Sequence, residues 1–311
     1  MRKIYIAIFA VVAGFSAQAQ QDPQYTHFMF DKLSINPGYA GVNRKICGTL
    51  IGRQQWSGFD NAPRTALLNV SLPVDILKGG LGISYFNDKL GFESNNILRL
   101  SYSYHLGLGP GVLGIGASGG IVNKSIKAQW VTPDNGTAWQ GTDPTITTDN
   151  AQETVPDFSF GLYYRIPNSL YVGLSATHLS QADLGTINIQ TVRHYYIMAG
   201  YEYVMGDFTL MPNLMAKTDI ATTIVDVNMM AMYMNTVWLG VSYRLQDAIA
   251  PMLGYQHTLK DGSAIRIGYS YDVTTSQLKN YSNGSHELML NYCFNVDKPK
   301  PITKFKNPRF L

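Results

Sequence analysis

The sequence predicts an all-β fold, a 14-stranded antiparallel transmembrane β-barrel, with its N-terminal segment at or in the periplasmic mouth. Two observations carry the barrel. Between Ile46 and Asn295, fourteen short segments alternate apolar and polar residues, the period of a strand whose successive side chains face opposite ways. Connections are short after even-numbered segments and longer after odd ones, as in bacterial barrels with tight periplasmic turns and long outer loops. In 96–105, Leu98, Leu100, Tyr102 and Tyr104 share one face, and Arg99, Ser101, Ser103 and His105 the other. An apolar face rich in aromatics, opposite a face of charge, serine and glycine, fits lipid outside and a wet lumen inside.

In chain order, residues 1–19 read as a secretory signal peptide. Arg2 and Lys3 precede the apolar run Ile4 to Gly14 and the small-residue cleavage site Ala17-Gln-Ala19. The run is too short for an anchor helix. Residues 20–45 form a periplasmic or plug segment, punctuated by Pro23, Pro37, Gly38 and Gly41 and not strand-like. Its Tyr25, Phe28, Phe30 and Tyr39 are expected to pack into the barrel mouth or against its periplasmic turns. The barrel occupies 46–295. Strands are expected at 46–56, 64–73, 79–88, 94–105, 111–123, 157–166, 169–178, 193–204, 207–216, 223–234, 236–244, 249–258, 264–273 and 285–295. Most are near the ~9–11 residues that cross a bilayer at a tilt. Short links fall at 107–110, 167–168, 206 and 235, and longer ones at 124–156, 179–192 and 274–284. An even strand count places both termini in the periplasm and the long loops outside. Leu288, Leu290, Tyr292 and Phe294 share the lipid face of the last strand, like a terminal aromatic assembly signal. Residues 296–311 hold five basic residues, one acidic residue and three prolines. This basic periplasmic tail is either a disordered end or a docking peptide.

Composition excludes other classes. The chain of 311 residues is 14% charged, with 29 Gly and 20 Tyr, which suits strands, girdles and tight turns. Mean hydropathy is near zero, and no mature segment supplies the ~20 apolar residues of a membrane helix. A net charge of +3 is too small and scattered for nucleic acid. No His-Glu-x-x-His or paired-cysteine zinc spacing occurs, so no enzyme activity, cofactor or metal is expected. The histidines at 27, 105, 178, 194, 257 and 286 are scattered singly and read as rim or lumen residues. Gly114-Ile-Gly-Ala-Ser-Gly-Gly120 lies in a strand with no helix after it, so it reads as wall glycine rather than a phosphate loop.

The candidate lumen charges are Arg53, Arg99, Arg165, Arg244, Arg266, Glu202, Asp226 and Asp272. Charge on the lipid face costs ~2–4 kcal/mol at mid-depth, so these point inward. They either brace a filled barrel or line a solute path. A barrel of this size is wider than an eight-stranded one that side chains alone can fill, and a plugged lumen is the favoured reading. Cys47 and Cys293 fall at the same rim on the first and last strands, both facing inward. They can form a cross-strand disulfide in an oxidising periplasm, or remain two thiols. In the longest loop, Trp130 and Trp139 suit a contact surface, with Asp134 and Asp143 beside them as further candidate contacts.

Three ordered blocks resemble a known family. Gln21-Asp-Pro-Gln-Tyr-Thr-His-Phe-Met-Phe30 with Ile35-Asn-Pro-Gly-Tyr-Ala-Gly41 is similar to the N-terminal signature of PorP/SprF proteins. Arg53-Gln-Gln-Trp-Ser-Gly-Phe59 with Ala62-Pro-Arg-Thr65, then Gly80-Leu-Gly-Ile-Ser-Tyr-Phe-Asn-Asp-Lys-Leu-Gly91, resemble its next two blocks. His27 and Gly38 stand where that pattern has glutamine and alanine. The resemblance implies a non-enzymatic outer-membrane component of the Bacteroidetes type IX secretion and gliding machinery, assisting export or surface attachment of adhesins with type B C-terminal domains. Implied partners are such a secreted C-terminal domain and periplasmic ring or peptidoglycan-associated proteins, with outer-membrane lipid around the wall. The alternative is an outer-membrane channel for small solutes.

Overall fold

The computed structural model describes residues 22–127, 150–187 and 189–295. Fourteen barrel strands run β1 Lys45–Gln54, β2 Arg64–Val74, β3 Gly79–Leu90, β4 Glu93–Leu108, β5 Gly111–Ile126, β6 Ala151–Ile166 and β7 Leu170–Thr177. They continue as β8 His194–Tyr201 resumed at Tyr203–Met205, β9 Phe208–Thr218, β10 Thr223–Tyr233, β11 Val237–Arg244, β12 Ala248–Thr258, β13 Ala264–Thr274 and β14 Ser285–Asn295. Each pairs antiparallel with its neighbours in sequence, and β1 pairs with β14 to close the wall. Closure satisfies every strand edge, a requirement where lipid offers no hydrogen bonds.

The alternation places the wall correctly. Leu100, Leu239 and Leu288 face outward at 62%, 64% and 59% exposure, whereas Ile51, Trp238 and Met289 are fully buried inside. The belt of outward leucine, isoleucine and phenylalanine, with outward tyrosines such as Tyr201, Tyr203 and Tyr255, belongs against hydrocarbon and its interfaces.

Three differences from the expected layout have local causes. β6 starts at Ala151 rather than 157 because β5 extends to Ile126 and pairs with it throughout, from Ile126↔Ala151 to Val112↔Arg165. The loop between them therefore shrinks to 127–150. The loop after β7 contains a small hairpin, Asp183–Leu184 with Ile189–Gln190. The loop asymmetry is also less sharp than expected: only Gly91 and Phe92 separate β3 from β4 on the long-loop side.

The lumen is filled. Tyr25, Phe28, Met29, Ile35 and Val42 join inward wall residues such as Leu67, Ile97, Met198, Met215 and Trp238 in one apolar cluster. The interior is thus drier than a wet lumen, because the N-terminal segment presents apolar groups that the inward methionines and aliphatics cover. That segment is not confined to a mouth. Asp22 lies at the long-loop end, beside His178 and His194, while Arg44 reaches Asp75 in a short turn at the opposite end. Residues 22–44 therefore cross the barrel from end to end, and the first described residue sits at the rim opposite the one expected for the N-terminus.

Candidate functional site

Residues 22–44 and the wall residues that grip them form the site. Its first part is a latch built on β14. Glu287 accepts hydrogen bonds from the backbone N–H groups of Thr26 (2.9 Å) and His27 (2.7 Å). Its carboxylate also meets His27 Nδ1 at 2.8 Å and Arg53 Nη1 at 3.0 Å. Arg53 in turn donates to Asp272 (2.7 Å), and Arg244 donates to Asp272 (3.1 Å), Asp247 (3.0 Å) and Asp226 (3.2 Å). Thr26 Oγ1 donates to Asp272, so a plug residue is enclosed within the network. Four predicted lumen charges, Arg53, Arg244, Asp226 and Asp272, thus brace the filled barrel. Such buried pairs add little net stability over apolar packing, but removing one partner leaves a charge uncompensated.

A second cluster ties the start of the segment to the long-loop end. Arg99 donates to Asp157 at 2.7 Å and lies 3.2 Å from His178 Nε2. His178 bridges Asp157 (2.9 Å) and Asp22 (3.0 Å). Tyr196 donates to Asp22 at 2.8 Å. Burial pushes the His178 imidazole down, but the Asp22 charge and hydrogen bonds to Asp157 and Asp22 outweigh it and hold the group up at about 9. Ligand atoms of Asp22, His178 and His194 all lie within 4.8 Å of one another, a spacing that could hold a metal ion. Two cations oppose one there: the Arg99 guanidinium on His178, and Lys217, whose ammonium donates to the Asp22 carbonyl. The cluster is better described as an internal ion-pair network.

Between these clusters, the segment lies against bare wall. Asn36 caps a turn at Pro37–Tyr39, accepting from Gly38 N and donating to the carbonyls of Leu162 (2.9 Å) and Leu174 (3.2 Å). A Cβ on Gly114 would come within 2.1 Å of the Gly38 carbonyl, and one on Gly116 within 2.4 Å of Gly38 N. Gly114 and Gly116 therefore admit the plug backbone, a specific form of the close approach that glycine permits. Phe30 tilts onto Trp238 with centroids 5.3 Å apart, and Tyr39 meets Tyr163 edge-on at 5.2 Å. Tyr25 and Phe28 are buried, and Phe30 and Tyr39 partly so.

The remaining predicted charges, Arg165, Arg266 and Glu202, line a chamber of about 740 Å³ at the short-turn end. A second chamber of about 480 Å³ opens at the long-loop end. Cys47 and Cys293 are directly opposite in the β1–β14 register and joined by a disulfide at the seam. Trp130, Trp139, Asp134 and Asp143 lie outside the described residues, as do the signal peptide and the basic tail.

Sequence reasoning missed Glu287, Asp157, Asp22 and the joint role of His27, His178 and His194. Glu287 was within reach: it occupies the polar phase of a strand whose lipid face, Leu288 to Phe294, was recognised. The histidines were not, since each acquires a partner only through the fold.

The family described as "Type IX secretion system membrane protein PorP/SprF" matches residues 17–292. No curated protein matches. Among solved structures, the CymD monoaromatic hydrocarbon channel is 12% identical, with TM-score 0.53, covering 86% of this chain and 93% of that one. The TodX deltaS2S3 mutant monoaromatic hydrocarbon channel is 10% identical, with TM-score 0.50, covering 81% and 90%. At such identities the likeness is one of barrel fold.

Proposed function

The chain belongs to the type IX secretion system membrane protein PorP/SprF family, and from that premise we propose that it is a non-enzymatic adaptor assisting export or surface anchoring of adhesins with type B C-terminal domains. It is an outer-membrane β-barrel component of the secretion machinery. The observation that carries the adaptor reading is the lumen occupied from end to end by residues 22–44. A wall filled in this way anchors, and leaves the work to its two rims. We read the long loops as extracellular and the short turns as periplasmic. The cargo domain docks on loops 127–150, 178–193 and 275–284, with Trp130 and Trp139 as aromatic anchors and Asp134 and Asp143 at their side. Ring or peptidoglycan-associated proteins of the system meet the opposite rim.

Deleting residues 128–149 tests this, because β5 ends at Ile126 and β6 begins at Ala151, so the wall stays complete. Cargo is expected in the medium while the barrel still assembles. Cargo retained on the cell surface at the normal level overturns the proposal.

A second reading, a channel for small solutes, draws on the fold shared with the CymD hydrocarbon channel and on the chambers at both ends of the lumen. Planar-bilayer recordings separate the two. Electrical silence supports the plugged adaptor, and steady open conductance supports the channel.

A further inference from the structure

Charge is compensated unevenly along the lumen. In the latch and in the long-loop cluster, each arginine has a carboxylate partner: Arg53 with Asp272, Arg99 with Asp157, Arg244 with Asp226. The short-turn chamber follows a different rule. Lys32, Lys45, Arg165 and Arg266 line it against two carboxylates, Glu202 and Asp207. Among the described residues, none of those four cations forms a salt bridge. Arg266 donates instead to the neutral oxygens of Gln256 (2.6 Å) and Asn291 (2.9 Å), and Arg165 to Asn43. Lys32 stands over the Tyr171 ring, 3.6 Å from its centroid, and 6.0 Å from that of Tyr39. Lys32, Arg165, Arg266 and Glu202 all line this one chamber.

The four cations are half-buried, and cations in excess over carboxylates in a partly dehydrated chamber are costly to hold. Guanidinium groups also match carboxylate and phosphate oxygens better than the amide oxygens they have here. One side of the same chamber is apolar, formed by methionines on β9 and β10, and thioether side chains adapt to varied apolar shapes. A volume of about 740 Å³ lies within the ~300–1,000 Å³ of small-molecule sites.

We propose that the short-turn chamber binds a small amphiphilic anion, its carboxylate or phosphate held by Lys32, Arg165 and Arg266 and its apolar body against Met211, Met230 and Met232. Glu202 is the resident competitor for those cations. The site does not depend on the adaptor reading, since it faces the rim opposite the long loops.

Isothermal titration of the full chain in nonionic detergent tests the site with four probes: octyl phosphate, octanoate, inorganic phosphate and octanol. Octyl phosphate and octanoate are expected to bind, and octanol, which has the tail without the charge, is not. Arg266→Gln should weaken octyl phosphate by about tenfold or more, the scale of a lost charge-assisted hydrogen bond. Glu202→Gln should strengthen it several-fold, a gain that a damaged barrel does not give. Retention of the Cys47–Cys293 disulfide and of heat-modifiable gel migration certifies each variant as folded. The charged amphiphiles binding no better than octanol overturns the proposal, as does binding that Glu202→Gln leaves unchanged. Inorganic phosphate binding as tightly as octyl phosphate overturns the apolar half of the site.

Discussion

Glu287 and Arg53, 3.0 Å apart on the two strands that close the barrel, hold the plug as well as each other. The same carboxylate receives the backbone N–H groups of Thr26 and His27. A side-chain bridge across the seam and the hold on the plug therefore share one carboxylate.

Glu287→Ala should consequently loosen both. It leaves the Arg53 guanidinium with Asp272 as its one carboxylate partner, and two buried plug N–H groups without acceptors. A cost of about 3–5 kcal/mol is expected for breaking a buried pair from one side. Thermal unfolding in detergent should fall accordingly, and hydrogen exchange in 22–36 should rise. An unchanged exchange pattern in that segment would show that Glu287 serves the wall only.

Gly114→Val should displace the plug, with the wall giving only at the Ser103 hydroxyl, 2.7 Å from the added Cβ. The added side chain enters the space of the Gly38 carbonyl, 2.1 Å from its Cβ. Overpacking of this kind costs about 1–3 kcal/mol. The expected result is protease sensitivity in 22–44 with normal heat-modifiable migration. Resistance equal to wild type would contradict the close approach of Gly38 to the wall.

Mass spectrometry without reducing agent should find Cys47 and Cys293 linked, with no alkylated thiol. Replacing both with serine should lower stability by about 2 kcal/mol, the low end for disulfides. The low end applies because the β1–β14 ladder already holds the seam.

A pH series should loosen the long-loop end in alkali. The folded His178 stands at about 9, above the ~6.5 of a free histidine. A group raised on folding contributes fully below its unfolded value, and that contribution is lost as pH rises through the folded one. Protection of residues 22–26 should thus decline between about pH 6.5 and 9. In His178→Asn the decline over that window should disappear.

How much of this was legible follows from which residues carry a period. Leu98, Leu100, Tyr102 and Tyr104 announce the wall because lipid contact repeats every second residue. The inward set Arg53, Arg244, Asp226 and Asp272 was legible for the same reason, since charge has no place on the lipid face. The path of residues 22–44 was not. It has no repeat, and its contacts are set one by one by partners up to 261 positions away. His27 illustrates the limit: nothing near it in sequence foretells Glu287. The inward methionines, Met198, Met215 and Met230, were hidden because sequence alternation assigns them to a face without saying what covers them.

The course of the N-terminal segment through the lumen has a consequence for biogenesis. Two of its anchors, Asp272 and Glu287, lie on the last two strands, so Thr26 and His27, made early, meet these partners last. Phe30 likewise waits for Trp238 on β11. Contacts of such sequence separation form slowly, because loop closure must precede their reward. The latch around Thr26 and His27 is therefore expected to be among the last parts of the barrel to form.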